Sequence, residues 1–397
     1  METKAIVAMT DKYLMNTYSR IPLAPIRGKG ARLWDAEGKE YLDFVAGLAV
    51  NSTGHSHPKV VEAICKQASE LVHVSNLYHI EPQARLARTL AEHSGLDRAF
   101  FCNSGGEANE AAFKLARRYM KEILGRSSFE IITAQRSFHG RTLATVTATA
   151  QTQYQQGFEP LPIGFSYVPF NDIDALKAKV SEKTCAVMLE PVQGEGGVYP
   201  ADPAYLSAVR QFCNDRQLLL IFDEVQTGIG RTGELFAYQR YGVKPDIVTL
   251  AKGLASGVPI GALLATEEVS KGFCPGKHAS TFGGNFLACA AGLATLHVIL
   301  NDGVLENVRE VGEYLMQGLL KLSASTGVIT EVRGAGLMIG IELVDERGPA
   351  VVAACRDRGL LINCVHNTVL RLLPPLIITK SDVDEALGIL AVVLMES

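Results

Sequence analysis

LLLIFDEVQTGIGRTGELFAYQRYGVKPDIVTLAK, residues 218–252, holds two short apolar runs, and each ends on a titratable group. LLLIFDE stops at Asp223-Glu224, and DIVTLA stops at Lys252. Short apolar runs without alternation read as strands buried on both faces. A lysine or an acid at the end of such a strand loses hydration, and a partner or a covalent bond must offset that cost. The same rhythm extends outward. RAFFC (98–102), EIIT (130–133) and CAVMLE (185–190) read as further strands, with helical patterns such as EANEAAFKLARRYMKEIL and PAYLSAVRQFCNDRQ between them. Strands alternating with helices predict an α/β fold, with a mostly parallel central sheet and helices on both faces.

The two ends of the chain read differently. RLWDAEGKEYLDF (32–44) predicts a hairpin turning at Glu37-Gly38, and VRGAGLMIGIEL (332–343) predicts strands in a mixed α+β region. Residues 1–52 and 301–397 are expected to meet in a smaller α+β domain beside a large domain over 53–300. The chain has 397 residues, and a net charge of −4 gives no electrostatic reason to expect nucleic acid or a membrane as partner. ACAAGLATLHVIL (288–300) is too short to span a bilayer and reads as a buried helix. METKAIVAMTDKYLMNTYSR has the pattern of neither a secretory signal nor a transit peptide, so a cytoplasmic setting is expected. The eight cysteines form no CxxC pair and no metal-ligand spacing, and they read as buried thiols in a reducing compartment. His55 and His57 in GHSHP have no acidic or cysteine cluster beside them, and a turn before Pro58 accounts for them without a metal.

In open parallel sheets, ligands bind beyond the carboxyl ends of the strands. After RAFFC comes Asn103-Ser-Gly-Gly-Glu-Ala-Asn109, a glycine pair opening a long helix, which suits a phosphate. Phe138, His139, Gly140 and Arg141 follow EIIT. Glu190 and then QGEGG with Glu195 follow CAVML. Asp223, Glu224, Val225 and Gln226 follow LLLIF, and Lys252 follows IVTLA. Pyridoxal 5′-phosphate (PLP) needs such a set. Its aldehyde needs an amine (Lys252), its pyridine nitrogen an acid (Asp223), its ring a stacking face (Phe138) and its phosphate a backbone nest. Gln226 would reach its phenolic oxygen. Each residue alone has a plainer reading: a snorkelling lysine, a capping acid, a core phenylalanine, an ordinary Gly-Gly turn. Their order on successive strand ends favours the joint reading. Gly228-Ile-Gly230-Arg-Thr-Gly233 matches GxGxxG but has no apolar helix behind it, so it reads as a flexible loop beside the site rather than a dinucleotide fingerprint.

FCNSGGEANEAAFKLAR (101–117), SFHGRT (137–142), LEPVQGEGG (189–197), LLLIFDEVQTGIGRTG (218–233), TLAKGLASGVPIGA (249–262), STFGGNFLACAA (280–291) and VLRLLPPL (369–376) carry a resemblance. In this order they resemble the class III aminotransferases, PLP enzymes of fold type I. NTYSRIPLAPIRGKGARLWD (16–35) and SNLYHIEPQ (75–83) resemble the acetylornithine aminotransferase group within that class. Two positions depart from the pattern: Gly106, where Thr or Ala is commoner, and Phe286, where Pro is usual.

The resemblance implies roles. Ser104, Gly105 and Gly106 would hold the phosphate, with Thr281 reaching it from a partner subunit. Phe138, Asp223, Val225, Gln226 and Lys252 would complete the cofactor site. Arg141 would receive the α-carboxylate of the acetylated donor, with Ser280 and Tyr18 close to that substrate. Arg371 would bind the α-carboxylate of 2-oxoglutarate or glutamate, and Glu195 would neutralise it for the other substrate. A static Glu195–Arg371 ion pair is the alternative. The implied reaction moves the δ-amine of N2-acetylornithine to 2-oxoglutarate, in arginine biosynthesis, by a homodimer with its sites at the interface. Three rivals stand beside it. They are sister enzymes using succinylornithine, ornithine, 4-aminobutyrate or succinyl-diaminopimelate substrates, an aminomutase of the same fold, and a nicotinamide oxidoreductase built on the 228–233 glycines.

Overall fold

A computed structural model describes residues 1–396. Near the start, β1 (Pro25–Lys29), β2 (Arg32–Asp35) and β3 (Glu40–Asp43) form an antiparallel meander. The β2–β3 turn is closed by Asp35, whose Oδ1 accepts the amides of Glu37 (3.1 Å) and Lys39 (2.8 Å), with Gly38 at φ +86°.

The central sheet uses β4 (Arg98–Cys102), β5 (Glu130–Ala134), β6 (Phe165–Val168) and β7 (Thr184–Leu189). Beyond the small ribbon β8 (Val192–Gln193) and β9 (Tyr199–Pro200), it adds β10 (Leu219–Asp223), β11 (Ile247–Leu250) and β12 (Gly261–Ala265). The order is β4-β12-β11-β10-β7-β5-β6. Only β12 runs against its neighbours, so β4, β5, β7, β10 and β11 all end on one edge of the sheet. Two strands, FSYV of β6 and GALLA of β12, are absent from the sequence reading. The segment joining β11 to β12, residues 251–260, is too short to carry a crossover helix, so the chain turns straight back antiparallel.

Every residue of β7, β10, β11 and β12 is buried. Successive side chains alternate between two cores. Val187, Leu189, Leu220, Phe222, Val248 and Leu250 enter one, and Ala186, Met188, Leu219, Ile221 and Ile247 enter the other. Helices cover both faces, as continuous apolar strands require.

The last region forms β13 (Ile329–Ala335), β14 (Met338–Leu343), β15 (Leu360–Leu361), β16 (Asn363–Val365) and β17 (Val369–Leu372). The sheet β13-β14-β17-β16 is antiparallel, while β15 pairs in parallel with β3. The N-terminal meander and the C-terminal region therefore share one sheet.

GIGRTG departs from its sequence reading. Residues 226–233 are buried, and a Cβ on Gly230 would lie 3.1 Å from Leu305 Cδ2. Arg231 fastens the loop to the C-terminal region through Nη1 to the carbonyls of Leu337 (3.0 Å) and Pro374 (2.5 Å). Just before the loop, Glu224 accepts the amides of Ala237 (2.7 Å) and Tyr238 (2.8 Å) at the start of the helix that follows it. The glycines serve close packing, not flexibility.

Candidate active site

A cavity of about 330 Å³ opens at the shared edge of β4, β5, β7, β10 and β11. Ser104, Gly105, Gly106, Phe138, Glu195, Asp223, Val225, Gln226 and Lys252 all line it, with Asn103, Asn109, His139 and Glu190 beside them.

Lys252 begins a short 3-10 turn directly after β11, at φ +40°. Burial pushes its amine below the usual lysine range. The Glu195 carboxylate opposes that shift, and the Arg371 charge assists it. Asp223 ends β10 and is 3% exposed. Its Oδ2 accepts from His139 Nδ1 and Asn109 Nδ2, both at 2.8 Å, and Oδ1 accepts the Val225 amide at 3.0 Å. Asn109 also donates to His139 O (2.7 Å) and accepts from Thr249 Oγ1 (2.7 Å). His139, Asn109 and Thr249 thus fix one carboxylate, yet sequence reading gave none of them a role. Their positions lie on three separate segments, and no spacing rule connects them. Glu190, at the end of β7, accepts the amides of Phe138 (3.0 Å) and Gly194 (3.2 Å). Burial raises its carboxyl pKa, His139 opposes this and the Asp223 charge adds to it.

At the start of helix Gly105–Arg118, Ser104 Oγ accepts the Glu107 amide at 3.2 Å. Glu107 Oε2 returns to the amide of Asn103 at 2.7 Å. The Gly105 and Gly106 amides make no backbone bond among the described residues and sit where a helix presents free donors. A Cβ on Gly105 would lie 2.7 Å from Val225 Cγ1, so that position admits only glycine. Gly106 is roomier, its nearest neighbour being Thr142 Cγ2 at 3.8 Å, and its departure from the family pattern costs no contact.

Glu195 and Arg371 form an ion pair of 2.6 Å, the guanidinium arriving from β17 and only 1% exposed. Burial by itself raises the Glu195 carboxyl, but the charges of Arg371 and Lys252 outweigh it, and the pKa falls to about 2. With its amide oxygen turned toward the guanidinium, Asn363 accepts from Arg371 Nη2 at 2.9 Å. Gln226 Nε2 reaches Glu195 Oε1 at 3.4 Å, while Gln226 Oε1 is buried with no hydrogen-bond partner among the described residues.

The remaining expected residues lie outside the cavity. Arg141 is exposed at the rim, its guanidinium 3.9 Å from the Tyr154 ring and 5.5 Å from the Phe138 ring. Ser280 is linked to the cavity through Asn103, whose Nδ2 donates to its Oγ at 3.2 Å. Asn76 Nδ2 holds the same loop through the carbonyls of Ser280 (3.2 Å) and Gly283 (2.9 Å), which joins SNLYHIEPQ to STFGGN. Thr281 is exposed on that loop and does not line the cavity. Tyr18 is 69% exposed, packs under Arg20 and shares no wall with Lys252.

The family profile for class III aminotransferases matches residues 13–394. The chain belongs to the class III aminotransferases. It is 54% identical to the acetylornithine aminotransferase of Caldanaerobacter subterraneus subsp. tengcongensis over 391 residues, covering 98% of this chain and 99% of that one. It is 53% identical to the acetylornithine aminotransferase of Methanocaldococcus jannaschii, covering 98% of each chain. A structure of the Toxoplasma gondii ornithine aminotransferase, crystallised with oxidised glutathione and holding PLP at partial occupancy in its active site, superposes with a TM-score of 0.95 at 33% identity. The match covers 99% of this chain and 94% of that one.

Class III aminotransferases depend on PLP, and the cavity fits that cofactor. It offers two free helix-start amides for a phosphate, a buried carboxylate, a ring face, an amide oxygen lacking a donor and one lysine of lowered pKa.

Proposed function

We propose that this chain is an acetylornithine aminotransferase. It transfers the δ-amino group of N2-acetyl-L-ornithine to 2-oxoglutarate, giving N-acetyl-L-glutamate 5-semialdehyde and L-glutamate, a step of arginine biosynthesis. The observation that carries this reading is the Glu195–Arg371 pair, 2.6 Å apart beside Lys252. One pocket has to accept an extended chain ending in an amine and then a dicarboxylate. With the pair closed, Arg371 is neutralised and the terminal amine enters without a competing cation. When Glu195 swings away, Arg371 binds the α-carboxylate of 2-oxoglutarate or glutamate. Higher identity to acetylornithine enzymes than to an ornithine enzyme of nearly the same fold supports the acetylated donor.

Ser104 and the amides of Gly105 and Gly106 would hold the phosphate, Phe138 and Val225 would flank the ring, and Asp223 would keep the ring nitrogen protonated. Gln226 would reach the phenolic oxygen. Bound there, PLP supplies the electron sink that makes the amine-bearing carbon acidic. Lys252, whose amine burial pushes below the usual lysine range, would hold the cofactor's aldehyde and would accept the proton from the substrate's terminal carbon. Arg141 receives the donor's α-carboxylate, with Ser280 and Tyr18 alongside.

Thr281 serves the phosphate of a second copy, so the working unit is a homodimer. The exposed apolar surface around it, Phe282 (61%), Leu77 (84%) and Tyr78 (69%), suits such an interface. Residues 53–300 are assigned to the large cofactor domain, and 1–52 with 301–397 to the small one, in keeping with the β3–β15 pairing. Eight free cysteines suit a cytoplasmic setting.

The deciding experiment compares kcat/KM for acetylornithine, succinylornithine, ornithine and 4-aminobutyrate with 2-oxoglutarate as acceptor. The acetylated donor is expected to lead, and faster turnover of free ornithine overturns the assignment.

A further inference from the structure

The loop carrying Glu195 is held from two sides. Toward the central sheet, Gln193 Nε2 donates to Gln135 O at 2.8 Å and the Gly194 amide to Glu190 Oε1 at 3.2 Å. Toward the C-terminal sheet, Gly197 O accepts Arg333 Nε (3.0 Å) and Nη2 (2.7 Å). Arg333 is locked in turn by Glu331 (2.8 Å), by Glu342 (2.7 Å) and by the Tyr199 ring (3.9 Å). Arg333 therefore fixes the end of the loop and leaves Glu195 itself to another group. That group is His366, whose Nε2 lies 3.0 Å from Glu195 O. A carbonyl only accepts, so Nε2 carries the hydrogen. Among the described residues, this is the one hydrogen bond on the Glu195 backbone.

His366 occupies the turn between β16 and β17. It and Asn367 adopt φ +53° and +59°, an unfavourable region for residues other than glycine, and the Gly348 amide holds the turn through Asn367 O at 3.0 Å. Five residues on, the same hairpin presents Arg371. One hairpin thus supports both ends of the ion pair: Arg371 through its own strand and Glu195 through the His366 imidazole.

We propose that His366 is a positioning residue for the Glu195–Arg371 pair, and that it sets how the single pocket divides its affinity between the amine donor and the 2-oxo acid. This rests on the aminotransferase reading with a mobile Glu195. An acceptor α-carboxylate reaches Arg371 only after Glu195 leaves it, so its apparent affinity is reduced by the fraction of enzyme that is closed. Freeing the Glu195 backbone lowers that fraction. Acceptor binding then improves, while the donor loses the neutralised wall it needs.

The test compares steady-state kinetics of the PLP-loaded enzyme and its His366→Ala and His366→Gln variants. Loss of one hydrogen bond is expected to lower the KM for 2-oxoglutarate by about three- to tenfold in His366→Ala and to raise the KM for acetylornithine by a similar factor. His366→Gln, which keeps a donor, is expected to return both toward wild type. Cofactor absorbance and thermal midpoint should match wild type in both variants. Unchanged KM values, KM values moving in the same direction, or a glutamine variant no better than alanine overturn the proposal. A wild-type enzyme inactive on acetylornithine overturns the substrate reading instead, and the 2-oxoglutarate KM measured with whichever donor it accepts still tests His366.

Discussion

Lys252 and Asp223 were legible in the sequence because each ends a run that has to be buried, and the structure sets both into one cavity. The groups that orient Asp223 were not. Asn109, His139 and Thr249 approach it only after β10, β11 and the helix Gly105–Arg118 have packed. Asp223→Asn retains the volume but loses the charge proposed to hold a ring nitrogen protonated, and kcat is expected to fall by about 10²–10⁴ with PLP still bound. Single-turnover absorbance measures this, and a kcat within a few-fold of wild type would remove Asp223 from the chemistry. Two carboxyls give opposite acid responses. Glu195 is depressed to about 2, so its contribution to stability is present above the ordinary value of 4.5 and is lost as pH falls toward 2. Glu224 is raised to about 7 by burial, so the folded protein binds a proton that the unfolded chain has released, and stability declines as pH rises from 4.5 to 7. Glu224→Gln should reduce that decline in urea unfolding across the window, with Glu190, raised by burial in the same way, sustaining the rest, whereas an unchanged slope contradicts the burial of an ionisable carboxyl at position 224.

At the scale of elements, β4, β5, β7, β10 and β11 were legible as largely apolar runs, while FSYV of β6 was missed because Ser166 and Tyr167 interrupt it, and β12 because GALLA begins on a glycine and returns within a short loop. That glycine is a steric requirement. A Cβ on Gly261 would lie 2.3 Å from Ser104 O, the residue proposed to open the phosphate cradle. Gly261→Ala is expected to cost about 1–3 kcal/mol of stability and to weaken PLP binding, because Ser104 has to move. Gly106→Ala meets nothing closer than 3.8 Å and should bind PLP like wild type. Cofactor titration by fluorescence compares the two, and equal affinities would contradict this account of the cradle. The GIGRTG loop shows where composition misleads. Its glycines suggested motion, but the loop is buried and Arg231 ties it to the C-terminal region. A glycine that spares space and a glycine that confers flexibility look alike in sequence.

Over the whole molecule, the sequence separated a central α/β region from two unlike ends, but it could not supply the β3–β15 pairing that joins them, since Leu42 and Leu360 are far apart in the chain. Nor do the cavity walls of one chain include Thr281 or Tyr18. Completion by a second copy predicts a dimer by light scattering, and Phe282→Asp is expected to yield a monomer with little activity. A fully active monomer would contradict the shared site. The central claim concerns one nitrogen atom. PLP-loaded enzyme reduced with borohydride, digested and mapped by mass spectrometry should carry the pyridoxyl mass on the peptide containing Lys252 and on no other. A label on another lysine, or no label, would contradict the account.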